Sequence, residues 1–454
     1  MKILIIGCGK VGSALAMSLA KDNNDVVCCD TRSDRVEKIT STTDSMGVVG
    51  NGVLPQVLKE AGVETCDYMI ACTSDDEKNI LSCLMARRLS KCKTIARVRS
   101  LEYADQTDYI MSELDITMTI NPDQATANEI SRIIRYNKSI SSDSFFKGRL
   151  NLLKIQVDEN SKLPGIKLYD VEKKFNCKVL VCVIERGDEV IIPHGNDIIE
   201  AGDKISFVSD NVNTDIFFTA IGYNYKPIRS YMIIGGSRIA EYLIKNIRQN
   251  NQDATIKVID TDRNTCEKIA EEFDDVAVIN GDGQDTDLLL REGIQDVDSF
   301  ISLTGIDEEN IIFALYAKKV SNAKVIAKVN KMNYIETLKE IDVGSIINPE
   351  RIAANIIDLH IRGANQSNSS KVETLYKICD DKAEALSFRI REKSKVTNIT
   401  LKELKLKPNV LIAGIYRKGK VIIPKGNDEI LVHDSVLVIN QGDAIHDIED
   451  IVEV

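Results

Sequence analysis

Tryptophan is absent from the 454-residue chain, and it holds only four histidines, eight prolines and an aromatic fraction of 5%. None of the four histidines (His194, His360, His433, His446) stands in a Ser-His-Asp or H-E-x-x-H pattern, and no G-x-x-x-x-G-K-[ST] run occurs. That removes the usual hydrolase and P-loop signatures. No apolar run approaches the roughly 20 residues a bilayer crossing needs, and Met1-Lys2 leads into a strand-like run rather than a secretory leader. The expectation is a soluble, cytosolic protein. Eleven cysteines lack any C-x-x-C pair, and Cys28, Cys29, Cys72 and Cys182 sit inside apolar runs. They read as small core residues of a reducing compartment, not as zinc ligands or a disulfide framework. With a net charge of -11 and no basic stripe interleaved with aromatics, a nucleic-acid partner is excluded.

What is present is a strong opening. Ile3 to Ile6 is an unbroken apolar run that feeds into Gly7, Gly9 and Gly12, and Val11, Leu15 and Leu19 then follow at helical spacing. Strand, tight turn and helix are what a dinucleotide phosphate site requires. Gly7 permits the turn, Gly9 lets the backbone approach a diphosphate, Gly12 lets helix pack on strand, and the helix N-terminus faces the anion. Val26-Val-Cys-Cys-Asp30 reads as a second strand ending in the acid that would accept ribose hydroxyls. Asp30 would repel a 2′-phosphate, which predicts NAD(H) over NADP(H), with Arg32 acting against that preference.

Strands then alternate with helices. Val48 to Gly52 closes a third strand, Leu54 to Ala61 is a short helix, Asp67 to Thr73 a fourth strand, and Thr73-Ser-Asp-Asp-Glu-Lys-Asn79 opens a helix. Lys93 to Arg99 and Ile116 to Pro122 complete six strands, which predicts a doubly wound parallel sheet. Asp75, Asp76 and Glu77 read as first-turn acids that offset the helix dipole rather than as a metal cluster.

The whole order returns. Tyr231 to Ala240 echoes the opening, Val258-Ile-Asp260 the second strand, and Ile279-Asn-Gly-Asp-Gly283 the Gly-Asn-Gly stretch. Thr304 and Asn310 follow Thr73 and Asn79 by 231 positions, Ile326-Ala-Lys-Val matches Ile95-Ala-Arg-Val, and Asn348-Pro349 matches Asn121-Pro122. The same order held at offsets between 227 and 231 positions through so many points is a tandem duplication. Between and after the copies lie small β-rich stretches that also recur, Pro193-His-Gly-Asn-Asp197 as Pro424-Lys-Gly-Asn-Asp428. The predicted class is α/β: two Rossmann-like domains, 1–138 and 227–366, each followed by a small α+β, β-rich domain, 139–226 and 367–454. Ser-rich Lys138 to Ser144 and Gly363 to Ser370 read as internal linkers, and Lys226-Pro227 as the joint between halves.

The quoted motifs, Ile5 to Gly12, Gly50-Asn-Gly52, Thr73 to Asn79 and Ile95 to Val98, resemble the RCK (KTN) family of domains that regulate potassium channels and transporters. The resemblance covers essentially the whole chain, small β-rich units included. It implies a cytoplasmic ring of such domains, formed by a dimer or tetramer of chains and peripheral to the inner face of the membrane beneath a TrkH-type pore subunit. NAD(H), or ATP or ADP at the same sites, would set the ring's shape, without hydride transfer. Carried over by residue, Gly7, Cys8, Gly9, Lys10, Val11 and Gly12 hold the diphosphate, Asp30 the ribose, Asn51 lies near the adenine, and Thr73, Ser74 and Arg97 flank the cofactor. In the second copy Gly235, Ser237, Arg238, Asp260, Asp282 and Thr304 take these places, with Lys328 for Arg97. Ser237 puts a β-carbon where close backbone approach is needed, which predicts a weaker or altered second site.

Two other readings stay open. A duplicated NAD-dependent dehydrogenase needs a proton donor beside the nicotinamide, and the β-rich units offer no pair for it. The β-rich units could instead take a cyclic dinucleotide or a divalent cation, although the apolar faces of Val179 to Ile184 and Leu411 to Ile415 read as core or a dimer seam.

Overall fold

A computed structural model describes residues 1–454 apart from 22–23, 101–102, 104–110, 112, 135–139, 147–148, 224–227, 332–340, 342, 365–369, 380–381, 444 and 454. The described residues fall into two compact units. The first joins Met1–Ser131 with Arg229–Asp358, and the second joins Arg132–Ile228 with Leu359–Val454.

In the first unit the opening run forms β1 (Lys2–Ile6), followed by β2 (Asp25–Asp30), β3 (Ser45–Val49), β4 (Tyr68–Ala71), β5 (Lys93–Arg97) and β6 (Met118–Ile120). They pair in parallel in the order β3-β2-β1-β4-β5-β6. The order reverses beside β1, so the carboxyl ends of β1, β2 and β4 border the crevice where such sheets bind ligands. β1 and β4 are buried on both faces, as a sheet covered by helices on each side demands.

The first β-rich copy supplies β7 (Ile140–Phe145), β8 (Leu150–Gln156), β9 (Leu180–Arg186), β10 (Glu189–Ile191) and β11 (Lys204–Ser209). The second Rossmann-like copy then repeats the parallel sheet with β12 (Ser230–Ile234), β13 (Thr255–Asp260), β14 (Ala277–Asn280), β15 (Ser299–Ser302), β16 (Lys324–Lys328) and β17 (Ser345–Ile347), in the order β14-β13-β12-β15-β16-β17. The last β-rich copy holds β18 (Ser370–Ile378), β19 (Ala383–Ile390), β20 (Val410–Arg417), β21 (Lys420–Ile422) and β22 (Ser435–Asn440). The expected α/β class and the duplication are both present, since each copy reproduces the strand order of the other.

In the second unit the two β-rich copies share one apolar seam. Phe145, Phe146, Leu152, Cys182 and Val183 of the first pack with Ala385, Ala413, Leu437 and Ile439 of the second. Phe145 meets Tyr376 edge-on at 5.1 Å between ring centroids, and Phe146 stacks on Tyr416 at 5.5 Å. The apolar runs around Val183 and Ala413 are thus core between copies of one chain. The recurring turn has a structural role: Asp197 accepts from the His194 N–H, Asp428 from the Lys425 N–H, and Arg186 and Arg417 grip Asp203 and Asp434 with two hydrogen bonds each.

One boundary reading is corrected. Ile140 to Ser144, expected within the Lys138 to Ser144 linker, belong to the edge strand β7, paired antiparallel with β8 from Ile140↔Ile155 to Phe145↔Leu150. Serines are poor strand formers, but an edge strand needs only one hydrogen-bonded side, and Phe145 anchors it in the seam. Gly363 lies within the last turn of the helix Pro349–Ala364 and Ser370 opens β18, while 365–369 and Lys226-Pro227 lie outside the described residues.

Because Phe145 is 1% exposed, Phe145→Ala is expected to cost about 3–5 kcal/mol. A lower urea midpoint for the variant checks this.

Candidate functional site

The cleft is built on backbone constraints at the end of β1. Gly7 has φ +97°, and a β-carbon there would lie 2.8 Å from the Thr73 nitrogen. A β-carbon on Gly12 would lie 1.9 Å from the Gly7 carbonyl oxygen, so this helix turn can seat against the strand end only as glycine. Gly9 differs, because a β-carbon there meets nothing within 4 Å. Protein packing therefore gives no reason for that glycine, whereas close approach by a ligand does.

Asp30 closes the loop. Its Oδ2 accepts the Cys8 N–H at 2.7 Å and its Oδ1 the Arg32 N–H at 3.0 Å. Arg35 Nη1 lies 3.6 Å from Oδ2. The Arg32 guanidinium turns to Asp34 instead, at 2.6 Å, so Arg32 does not offset the negative charge of Asp30 directly.

Asn79, fully buried, ties the opposite wall together. Its Oδ1 accepts the Thr73 N–H at 2.8 Å and the Thr73 hydroxyl at 2.7 Å, and its Nδ2 donates to the carbonyls of Thr73 and Arg97. Arg97 Nη1 donates to the Thr73 carbonyl at 2.8 Å, while its buried Nε has no protein partner among the described residues. Burial, with Arg99 adding to it, lowers the Arg97 pKa from its ordinary value. Asp75 caps the next helix through the Lys78 N–H, and Asp76 accepts from the Arg99 and Ser100 N–H groups. Asp75 thus serves the helix start, whereas Asp76 ties down the loop after β5 and Glu77 accepts from the Tyr103 hydroxyl.

These elements enclose a cavity of about 430 Å³. Gly7, Gly9, Lys10, Val11, Asp30, Asn51, Thr73, Ser74 and Arg97, all expected at a site, line it together, as does Arg35. Cys8 joins through its N–H and Gly12 through packing rather than by lining the cavity. Below it, burial pushes the Cys29 and Cys72 thiols up to about 12, so both remain protonated at neutral pH and neither is poised as a nucleophile.

The second copy repeats the frame with changed residues around it. Gly235 has φ +98°, and Asp260 accepts the N–H groups of Gly236 at 2.6 Å and Asp262 at 2.8 Å. Thr304 and Asn310 bond as Thr73 and Asn79 do. However, the Asn280 amide folds back onto the carbonyls of Asp260 and Thr261, while Asp282 accepts from the Gln284 N–H as Asn51 does from the Val53 N–H. Ser237 has its hydroxyl buried without a partner among the described residues. Arg238 lines a different hollow of about 570 Å³, together with Lys268 and the first-copy residues Asp76, Glu77 and Arg99. Lys328 donates to the Leu303 carbonyl at 3.3 Å, and burial lowers its pKa.

Sequence reasoning missed one group. Glu350, at the start of the helix Pro349–Ala364 in the second copy, places Oε1 4.0 Å from Lys10 Nζ of the first. The available signal was the departure from the repeat at this point, where Arg99 and Asp123 of the first copy become Asn330 and Glu350.

Fold and cleft define the class: a tandem duplication of a dinucleotide-type α/β domain, each copy followed by a small β-rich one. The TrkA-N domain family matches residues 3–122 and 231–349, and the TrkA-C domain family matches 152–214 and 385–453. The chain belongs to the TrkA family of Trk system potassium uptake proteins. It is 30% identical to the Archaeoglobus fulgidus Trk system potassium uptake protein TrkA homolog, covering 99% of this chain and 100% of that one. It is likewise 30% identical to the Vibrio alginolyticus TrkA, over 96% of this chain and 95% of that one. Among solved structures, the GsuK channel bound to NAD shares the fold at a TM-score of 0.61 and 17% identity, over 97% of this chain and 76% of that chain. The GsuK RCK domain does so at 0.61 and 16%, over 97% and 92%.

Removing the Asn79 amide strands the Thr73 N–H and the Arg97 carbonyl. Asn79→Ala is expected to cost about 2–4 kcal/mol, measured by urea unfolding, with Asn310→Ala behaving alike in the second copy.

Proposed function

We propose that the first cleft binds NAD(H), with ATP or ADP competing for the same place. On this reading the chain is a regulatory, non-catalytic subunit of a TrkH-type membrane potassium transporter. The observation that carries the reading is Asp30, whose two oxygens are oriented by backbone N–H groups beside a glycine loop that is open only on its ligand side. A carboxylate so held keeps lone pairs for a ribose diol, and the helix N-terminus at Lys10 offers N–H groups to a diphosphate. Gly7 to Gly12 would hold the diphosphate, Asn51 would lie near the adenine, and Thr73, Ser74 and Arg97 would flank the remainder. In the second copy Gly235, Ser237, Arg238, Asp260, Asp282 and Thr304 would form a weaker or altered site.

Segments 1–138 and 227–366 then act as nucleotide sensors, and 139–226 and 367–454 as their small partners. Two or four chains would form a ring on the inner face of the membrane. Ligand occupancy can move a gate only through an affinity difference between two ring shapes, about 1.4 kcal/mol for each tenfold change in the open to closed ratio.

Titration of NADH fluorescence should give saturable binding that Asp30→Ala weakens at least tenfold. NADPH binding more tightly than NADH would count against this use of Asp30. Co-expression with a TrkH-type subunit, followed by purification in detergent, should retain the chain on the transporter, and potassium uptake should respond to NADH. Steady oxidation of NADH by the chain alone would overturn the non-catalytic role.

A further inference from the structure

The two Rossmann-like copies use one equivalent acid, Asp76 and Asp307, alike for backbone N–H groups, but the side chain beside it differs. In the first, Asp76 takes the Arg99 and Ser100 N–H groups, which leaves the Arg99 side chain to donate from Nε to Asp123 at 2.8 Å. In the second, Asn330 stands for Arg99, and its amide turns to Asp307 at 2.7 Å. Glu350, which stands for Asp123, therefore has no arginine from its own copy.

Its side chain is only 13% exposed, and its buried Oε1 accepts no hydrogen bond from the described residues. The charged groups that face it are Lys10 at the first-copy helix start, Arg97 at the end of β5, and Asp307 at the start of the helix Asp307–Val320. Arg97 already donates to the Thr73 carbonyl, and Asp307 repels a carboxylate. Lys10 pairs with it at 4.0 Å, and Arg97 also favours its charged form. Lys10 is also a wall of the first cleft.

A diphosphate arriving at the glycine loop competes for that ammonium. We propose that filling the first cleft with a diphosphate-bearing ligand draws Lys10 from Glu350, and that the stranded carboxylate takes up a proton, linking occupancy of one copy to the protonation of the other. The inference rests on the first cleft being a diphosphate site. Burial holds the Glu350 pKa near 7 in the free protein, with Lys10 pulling it down, Asp307 pushing it up and Arg97 pulling it down by a smaller amount. Loss of Lys10 raises it further. Below about 7 the group is protonated in both states, so binding is insensitive to pH. As pH rises through 7 toward the ligand-bound value, binding must take up a proton, and affinity falls by at most about tenfold per pH unit.

The test is calorimetric titration of the full chain with NADH at pH 7.5, with EDTA present, in buffers of differing ionisation enthalpy. Net uptake of a fraction of a proton per NADH is expected, together with a Kd that rises several-fold from pH 7 to 8.5. Glu350→Gln should abolish the uptake and flatten the pH dependence. NADH binding without proton uptake in the native chain, or uptake that survives in Glu350→Gln, overturns the inference while leaving the nucleotide site intact. Absence of NADH binding overturns the site itself, and the linkage with it.

Discussion

The hydrogen bond from the Cys8 N–H to the Asp30 carboxylate, 2.7 Å long, joins the loop after β1 to the end of β2. A loop that must present backbone to a ligand cannot be packed over, so it needs a fastening from beneath. The carboxylate supplies it while staying in the cleft. Hydrogen bonds to charged acceptors are the stronger kind, and burial makes their loss costly. The second copy keeps the same fastening, Gly236 N–H to Asp260, although other features of its cleft have changed. The fastening therefore belongs to the fold, and ligand selection is layered upon it.

Duplication lets two copies of one design diverge while sharing a scaffold. The first copy keeps an open glycine loop. In the second, Asn280 covers the strand ends and a serine occupies the approach position. Divergence also reaches the seam within the first unit. There Asn121 donates to the Tyr242 hydroxyl and Asn246 to Asn128. Such a seam converts a change at one loop into a changed environment in the other copy, which is the physical requirement for coupling between sites.

Much of this was legible beforehand. The apolar run into Gly7, the acid at Asp30 and the recurrence of the same order of motifs yielded the sheet class, the duplication and most of the cleft, because each reflects a local demand with a recognisable residue type. Ile140–Phe145 was misjudged because an edge strand can be polar when one phenylalanine anchors it. The Glu350 contact was invisible because the sequence distance between it and Lys10 carries no periodicity, and the partner lies in the other copy.

The chain's order of residues determined its strands, its turns and the repetition of both, since glycine geometry, apolar periodicity and carboxylate chemistry act over a few neighbouring positions. Tertiary structure alone decided which side chains line the first cleft together, where Arg238 pointed, and which cation Glu350 would share. Those outcomes depend on distances between segments hundreds of residues apart, and only packing sets such distances.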